Sequence, residues 1–285
     1  MLNNKTSINC KGDLINIADP KIMGILNITP NSFYDGGKNN TLSQALNHCE
    51  KMLNEGADIV DIGAVSSRPG ADILTLEEER KRLLEIVPEL TKQFSGACFS
   101  IDTFRSEIAC EMVEKFGIAI INDISAGELD KNMFKTIAEL NVPYIMMHMR
   151  GTPANMQKLT DYKQDIEIEI LKYFSAKIQE LRLLGVKDII LDPGFGFSKT
   201  LEQNYRLLNK LEAFSVTGLP ILVGISRKSM IYKLLDYSPD KVLPETSALH
   251  LQALLNGANI LRVHDVKEAV NIKKIYKTLS LQNEN

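Results

Sequence analysis

The sequence predicts an α/β protein: a single (β/α)8 TIM barrel preceded by an N-terminal β-hairpin. Three observations carry that expectation. Short strand-like runs alternate with longer amphipathic segments almost throughout the chain. The alternation gives eight β-α units, the number that closes a parallel barrel. No linker is long or polar enough to split them, so one domain is expected over residues 1–285, with the hairpin in 1–20 and the barrel in 21–280.

"INCKGDLINIADP", Ile8 to Pro20, reads as a hairpin placed to plug the bottom of the barrel. The strand candidates that follow are "KIMGILN", "ADIVDIG", "ACFSID", "IAIIND", "VPYIMMH", "DIILDPG", "PILVGIS" and "NILRVH". Helical patterns lie between them. The clearest runs from Asp161 to Gly185, where Ile166, Ile170, Phe174, Ile178 and Leu181 recur three or four residues apart on one face. Gly56, Gly117, Gly185 and Gly257 stand where helices should end and suit left-handed C-caps. Glu77-Glu78-Glu79, after Thr75, is expected to open a solvated helix, with carboxylates at the positive end of its dipole. His48 and His250 read as ordinary helix positions, and the methionines at 146, 147 and 149 as packing.

Of the 285 residues, 44% are hydrophobic and 24% charged, and the formal net charge is −3. That balance gives no electrostatic reason for nucleic acid or an anionic membrane as a general partner. No apolar run approaches the roughly 20 residues that span a bilayer, and the N-terminus lacks a signal peptide's apolar core. The four cysteines form no C-x-x-C pair and no metal-ligand spacing with the four histidines. A cytoplasmic protein with reduced thiols is expected.

The apolar runs end in Asn27, Asp61, Asp102, Asn122-Asp123, His148, Asp192, Ser226, and Arg262 with His264, which flank Val263. In a parallel barrel those ends gather at the C-terminal face, where the βα loops build the site. Helix capping accounts for two or three of them, but poorly for Asp102, Asn122 and Asp192 after such apolar runs. Carboxylates and an amide crowded in a dry mouth repel one another unless a flat, donor-rich group lies among them. An aminopyrimidine such as guanine or pterin presents that edge. Arg68, Lys228, Arg262 and His264 make another side cationic, as a phosphate or diphosphate requires. In "GISRKSM", Ser226 is expected to N-cap the next helix, with Ser229 at the third helical position and Lys228 in the first turn, against the macrodipole. Two Gly- and Pro-punctuated loops, the one after Asn27 and Ala64–Leu74, read as lids.

Eight segments together carry a resemblance: "MGILNITPNSFYDGG", "ADIVDIGAVSSRPGA", "SIDTFR", "INDISAG", "MHMRGTP", "LDPGFGF", "SRKSM" and "RVHDV". In this order and spacing the chain resembles the dihydropteroate synthase family of pterin-binding enzymes from near Lys21 to past Asp265. The resemblance implies a barrel enzyme of folate synthesis, an alkyl transferase with Mg²⁺. It would join 4-aminobenzoate to (7,8-dihydropterin-6-yl)methyl diphosphate, releasing diphosphate and 7,8-dihydropteroate. By matching positions, Asp102, Asn122, Asp192 and Lys228 would hold the pterin. Asn27, Arg262, Val263 and His264 would hold the diphosphate, with Asn27 also at the Mg²⁺. Ser67, Arg68 and Pro69, with Phe33 and Asp35, would complete the site on loop closure. Pro69, Phe197 and Ser229 would face the aminobenzoate, with Ser229 and its helix N-terminus taking the carboxylate. A homodimer is the family's usual state, and a chain without a second domain is expected to be monofunctional.

The chain departs from the family pattern at Asn31 (commonly Asp), Ser67 (commonly Thr) and Val65 (frequently Glu). Ser67 keeps the hydroxyl, whereas Asn31 and Val65 each remove a charge from a lid. A pterin-dependent methyltransferase of the same superfamily would share the pterin pocket but has no use for a diphosphate cluster. A non-catalytic pterin-binding protein would not need the full set of pterin, anion and lid residues.

Overall fold

A computed structural model describes residues 7–28, 38–64 and 74–282. The chain opens with β1 (Ser7–Cys10) and β2 (Asp13–Asn16), which pair antiparallel as the expected hairpin. Eight β-α units follow: β3 (Lys21–Asn27) and α1 (Lys38–Glu55); β4 (Ile59–Gly63) and α2 (Leu76–Gln93); β5 (Phe99–Asp102) and α3 (Ser106–Phe116); β6 (Ile120–Asp123) and α4 (Met133–Leu140). Then come β7 (Tyr144–Met147) and α5 (Ile166–Leu183); β8 (Ile189–Asp192) and α6 (Leu201–Asn209); β9 (Leu222–Val223) with α7 (Ser229–Leu235) and α8 (Leu243–Leu255); and β10 (Ile260–Val263) with α9 (Val266–Gln282). All eight barrel strands are parallel, in the order β8-β7-β6-β5-β4-β3-β10-β9. A single bridge, Leu191 to Ile221, joins the ends and closes the barrel, with the Leu191 N–H donating to Pro220 O at 2.9 Å.

Each strand is short, and its residues alternate between two apolar layers. Ile22, Leu26, Val60, Ile62, Ile101, Ile121, Leu191, Val223 and Leu261 face the helices in the larger core. Met23, Ile59, Ile120, Ile145, Ile190, Leu222 and Ile260 point the other way and make the barrel floor. Ile8, Cys10 and Ile17 of the hairpin segment join that floor, and Asn259 Nδ2 donates to Ile17 O at 3.2 Å. The expected bottom plug is therefore present. Ile17 is completely buried, so Ile17→Ala should destabilise the protein by about 2–5 kcal/mol. Denaturant unfolding will show this as a lowered midpoint, with kcat/KM of the folded protein unchanged because the floor lies beneath the site.

Local chemistry sets the helix ends. Thr75 caps α2 in a reciprocal capping box with Glu78, and Thr200 does the same for α6 with Gln203. Gly56, Gly117, Gly185 and Gly257 follow helix ends with φ between 63° and 99°, as expected. The acidic run is not uniformly solvated, however. Glu79 is fully buried, accepts from Thr103 Oγ1 at 2.6 Å and pairs with Arg105. Strand β9 keeps only two of the seven residues expected for it: Ile221 makes only an isolated bridge, and past Val223 the chain leaves the sheet and turns at Ser226 and Arg227, the latter at φ 53°.

Candidate active site

Above the floor, the inward positions become polar at one end of the barrel. Asp61 of β4, Asn122 of β6 and Arg262 of β10 form one bonded cluster. Arg262 Nε donates to Asp61 Oδ2 at 2.7 Å, and Asn122 Nδ2 donates to the same oxygen at 2.9 Å. Arg262 Nη2 donates to Asp102 Oδ2, at the end of β5, at 2.8 Å. Arg262 is thus not a free cation of the mouth, as expected from sequence; two carboxylates engage it. Desolvation works against its charge, but Asp61 and Asp102 more than compensate and raise its pKa. The guanidinium's Nη1 makes no hydrogen bond among the described residues and stays available to a ligand. Among the described residues Asp61 Oδ1 is buried with no partner, an acceptor in need of a donor.

Asp102 pays the electrostatic cost of this crowding. Burial raises its pKa from 3.8 to about 7; Arg262 opposes the shift, and Asp61 and Glu79 reinforce it. Asp192, at the end of β8, is also raised by burial and is held back by Lys228 and by the Gly194 N–H, which donates to Oδ1 at 2.8 Å. Lys228 keeps part of its side chain open to the mouth, yet the surrounding protein lowers its ammonium from 10.5 to about 8, with Asp192 opposing. Its Nζ donates to Phe195 O at 2.6 Å and stands 4.7 Å from the centre of the Phe197 ring.

The "SRKSM" and "RVHDV" segments lock together. Ser226 Oγ accepts from the His264 N–H at 3.2 Å and meets its Nδ1 at 3.1 Å, while Arg227 forms a two-pronged ion pair with Asp265 at 2.8 and 2.6 Å. Ser226 is therefore not an N-cap. Helix α7 begins at Ser229, and Lys228 is the capping residue, with no side-chain cap bond. This frees Lys228 from the helix and sends its side chain toward Asp192. The His264 ring is open to solvent at the rim, but the enclosing protein and the Arg262 charge hold it neutral, well below the usual imidazole range.

Of the expected site residues, the structure thus brings Asp102, Asn122, Asp192, Lys228, Arg262, His264 and Phe197 to one mouth, with Ser229 beside Lys228. Asn27 belongs there too: a Cβ on Gly63 would lie 3.7 Å from Asn27 Oδ1 and 3.8 Å from Asp102 Oδ2, so glycine leaves room between them. Val263 departs from expectation, since its side chain packs among the helices, away from the mouth. Phe33, Asp35, Ser67, Arg68 and Pro69, with Asn31 and Val65, lie outside the described residues. Sequence reasoning gave no role to Asp61, although it stands two residues above Ile59 on the inward face of β4. His148 is a core residue, 3% exposed and bonded to Lys199.

A plugged barrel with carboxylates, an amide and a guanidinium bonded across its mouth defines a class. Residues 23–264 match the pterin-binding enzymes, and the chain belongs to that family. Dihydropteroate synthase of Escherichia coli (strain K12) is 40% identical over 277 residues, covering 96% of this chain and 97% of its own. The synthase of Synechocystis is 42% identical over 261 residues, 90% of this chain and 89% of its own. A solved structure of Yersinia pestis dihydropteroate synthase with a sulfonamide drug has a TM-score of 0.89 at 37% identity, covering 96% of this chain and 99% of that one. The Xanthomonas albilineans enzyme with 4-aminobenzoic acid scores 0.88 at 33% identity, with coverage of 96% and 98%. Within the family the chain stands among the dihydropteroate synthases, transferases of folate synthesis.

Proposed function

We propose that this site condenses (7,8-dihydropterin-6-yl)methyl diphosphate with 4-aminobenzoate to give 7,8-dihydropteroate and diphosphate. The observation that carries the reading is the cluster of Asp61, Asp102, Asn122 and Arg262, with one Asp61 oxygen buried and unpartnered. Such a mouth suits the adjacent N–H donors of an aminopyrimidine edge. Asp102, Asn122 and Asp192 hold that edge, and Lys228 balances the negative charge beside it. The free Nη1 of Arg262 and the neutral, exposed His264 face the diphosphate.

The chemistry follows from these placements. The C–O bond to diphosphate breaks first, and its electron pair leaves with the diphosphate. The pterin shares the positive charge left on the methylene, and the amine's lone pair then forms the C–N bond before an N–H proton is lost. An aromatic amine attacks without prior deprotonation, so charge stabilisation and water exclusion matter more than a strong base. Phe197 and Ser229 border the place for the aminobenzoate. Phe33, Asp35, Ser67, Arg68 and Pro69 complete the closed site by the roles the resemblance gives them.

Mg²⁺ fits this scheme through Asn27. Among the described residues no three His, Cys, Asp or Glu side chains are grouped to hold a metal. A single amide oxygen at the end of β3 suits an ion that takes its other ligands from substrate phosphates and water. The bound ion would neutralise diphosphate charge. Chelation by EDTA should therefore stop turnover while leaving Tm unchanged; a fall in Tm would reveal a structural metal instead.

The test of function is diphosphate release from purified protein with both substrates and Mg²⁺, alongside product detection. Release coupled one-to-one to dihydropteroate supports the synthase, whereas pterin binding without condensation overturns it. We also read the protein as cytoplasmic and homodimeric. All four cysteines are free, and no described helix is long and apolar enough to cross a membrane. Leu234, Tyr237, Leu255, Ile275 and Leu279 offer apolar surface for a partner copy.

A further inference from the structure

The segment that joins β8 to α6, residues 193–199, runs beside Lys228 and carries Phe197. Gly194, Gly196 and Ser198 all have left-handed φ values, 73°, 81° and 46°. Gly194 has no alternative, because a Cβ there would come within 2.1 Å of His148 O. The loop closes one tight backbone turn, Phe197 N–H to Gly194 O at 3.1 Å, and each of five successive carbonyls has a side-chain donor. Phe195 O receives Lys228 at 2.6 Å, Gly196 O receives Gln157 Nε2 at 3.0 Å, and Ser198 O receives the Tyr162 hydroxyl at 2.9 Å. The remaining two, Gly194 O and Phe197 O, both receive Lys199 Nζ at 2.9 Å. Lys199 Nζ also meets His148 Nδ1 at 3.1 Å. Burial, with the Lys199 and Arg150 charges, pushes His148 well below the usual imidazole range, so its neutral ring bonds Lys199 through that nitrogen.

Lys199 is 4% exposed, and among the described residues no carboxylate lies within ion-pair distance. Burial pushes the Lys199 pKa well below the usual lysine range, with the Asp192 charge opposing; such a group is a costly way to gain stability, and an apolar side chain would fill the same space. What only the Lys199 Nζ supplies is a fixed geometry for the two carbonyls on either side of the Lys228 contact.

We infer that Lys199 is a positioning residue for the aminobenzoate side of the site: by tying Gly194 O and Phe197 O to His148, it sets where the Phe197 ring stands against Lys228. This inference rests on the function proposed above. Most of the pterin edge is held by Asp102 of β5 and Asn122 of β6, which the loop does not carry. Asp192 of β8 takes the Gly194 N–H at 2.8 Å but is fixed by its own strand, so the effect of Lys199 falls mainly on the substrate that Phe197 faces.

The test compares full-length wild type, Lys199→Met and His148→Gln in steady-state kinetics with both substrates varied. Lys199→Met should raise KM for 4-aminobenzoate about tenfold or more, with KM for the dihydropterin diphosphate and kcat within about threefold of wild type. His148→Gln removes only the ring contact and should raise the same KM by about two- to fivefold. A purely structural role would lower the active fraction, and hence kcat, without selecting one substrate. Unchanged constants, equal rises in both KM values, or a loss confined to kcat overturn the inference. If Lys199→Met does not fold, His148→Gln decides by the same criteria. Wild-type protein without condensation activity overturns the reading of the site and this inference with it. Wild-type turnover with an unselective effect overturns the inference alone.

Discussion

Arg262→Met abolishes condensation and destabilises the fold by about 3–5 kcal/mol at neutral pH. The guanidinium bonds Asp61 at 2.7 Å and Asp102 at 2.8 Å, and methionine leaves both carboxylates in the mouth without a cation. Removing one partner of a buried ionic cluster costs more than the cluster itself contributes, because the remaining charges stay desolvated. The loss depends on pH. Asp102 already holds its proton up to about pH 7 in the folded protein, against 3.8 as an ordinary carboxylate. Between those values the folded form binds a proton that the unfolded form does not, so this group's contribution to stability is greatest below about 4 and is lost as pH rises through 7. Without Arg262, the charge that opposes its burial, Asp102 holds its proton still more strongly. Denaturant unfolding of wild type and variant at pH 5 and pH 8 should show the larger difference at pH 8. Equal differences would mean that another cation compensates Asp61 and Asp102.

Lys228→Met lowers kcat/KM by about 10²–10³-fold, the loss typical of one preorganised charge or donor in a dry site. The wild-type kcat/KM profile should rise through about pH 7 as Asp102 ionises and fall above about 8 as Lys228 loses its proton. These are macroscopic limbs of an interacting set of groups. Lys228 carries its charge only below its lowered pKa, so the variant should lose the alkaline limb. Asp102 then loses the Lys228 charge that it interacts with across the mouth, and the acid limb should move upward. A variant that keeps the alkaline limb would assign it to another group.

Much of this architecture is legible in the sequence. The run Lys21–Asn27 was expected as a strand and is one, because seven residues of near-continuous apolar character with a polar end have no other place in a parallel barrel. The convergence of Asp102, Asn122, Asp192 and Arg262 followed from topology alone, since parallel strands bring their ends together. Other features depend on partners far away in the chain. Glu77, Glu78 and Glu79 look alike in sequence, and only Arg105 and Thr103, beyond the next strand, make Glu79 a buried residue. Ser226 looked like a helix cap because nothing nearby announced that His264, 38 residues on, would take its hydroxyl. Lys199, in "GFSK", resembles a surface lysine until the loop coils around its ammonium. Asp61 was noted as a strand end, but its bonds come from strands at opposite positions in the sequence.

The closing seam of the barrel bears on how strictly each substrate is gauged. Between β3 and β4 five residue pairs stand in register, and four between β4 and β5, whereas one bridge holds β8 to the chain before β9. Widening the barrel on the Asp61–Asp102–Asn122 side means breaking a whole ladder at once. Parting the seam breaks a single bridge rather than a ladder, and the seam runs up beside Lys228 and Phe197. The two halves of the mouth therefore differ in tolerance as a die differs from a collet. One accepts a single outline, and the other grips what is offered across a small range of widths.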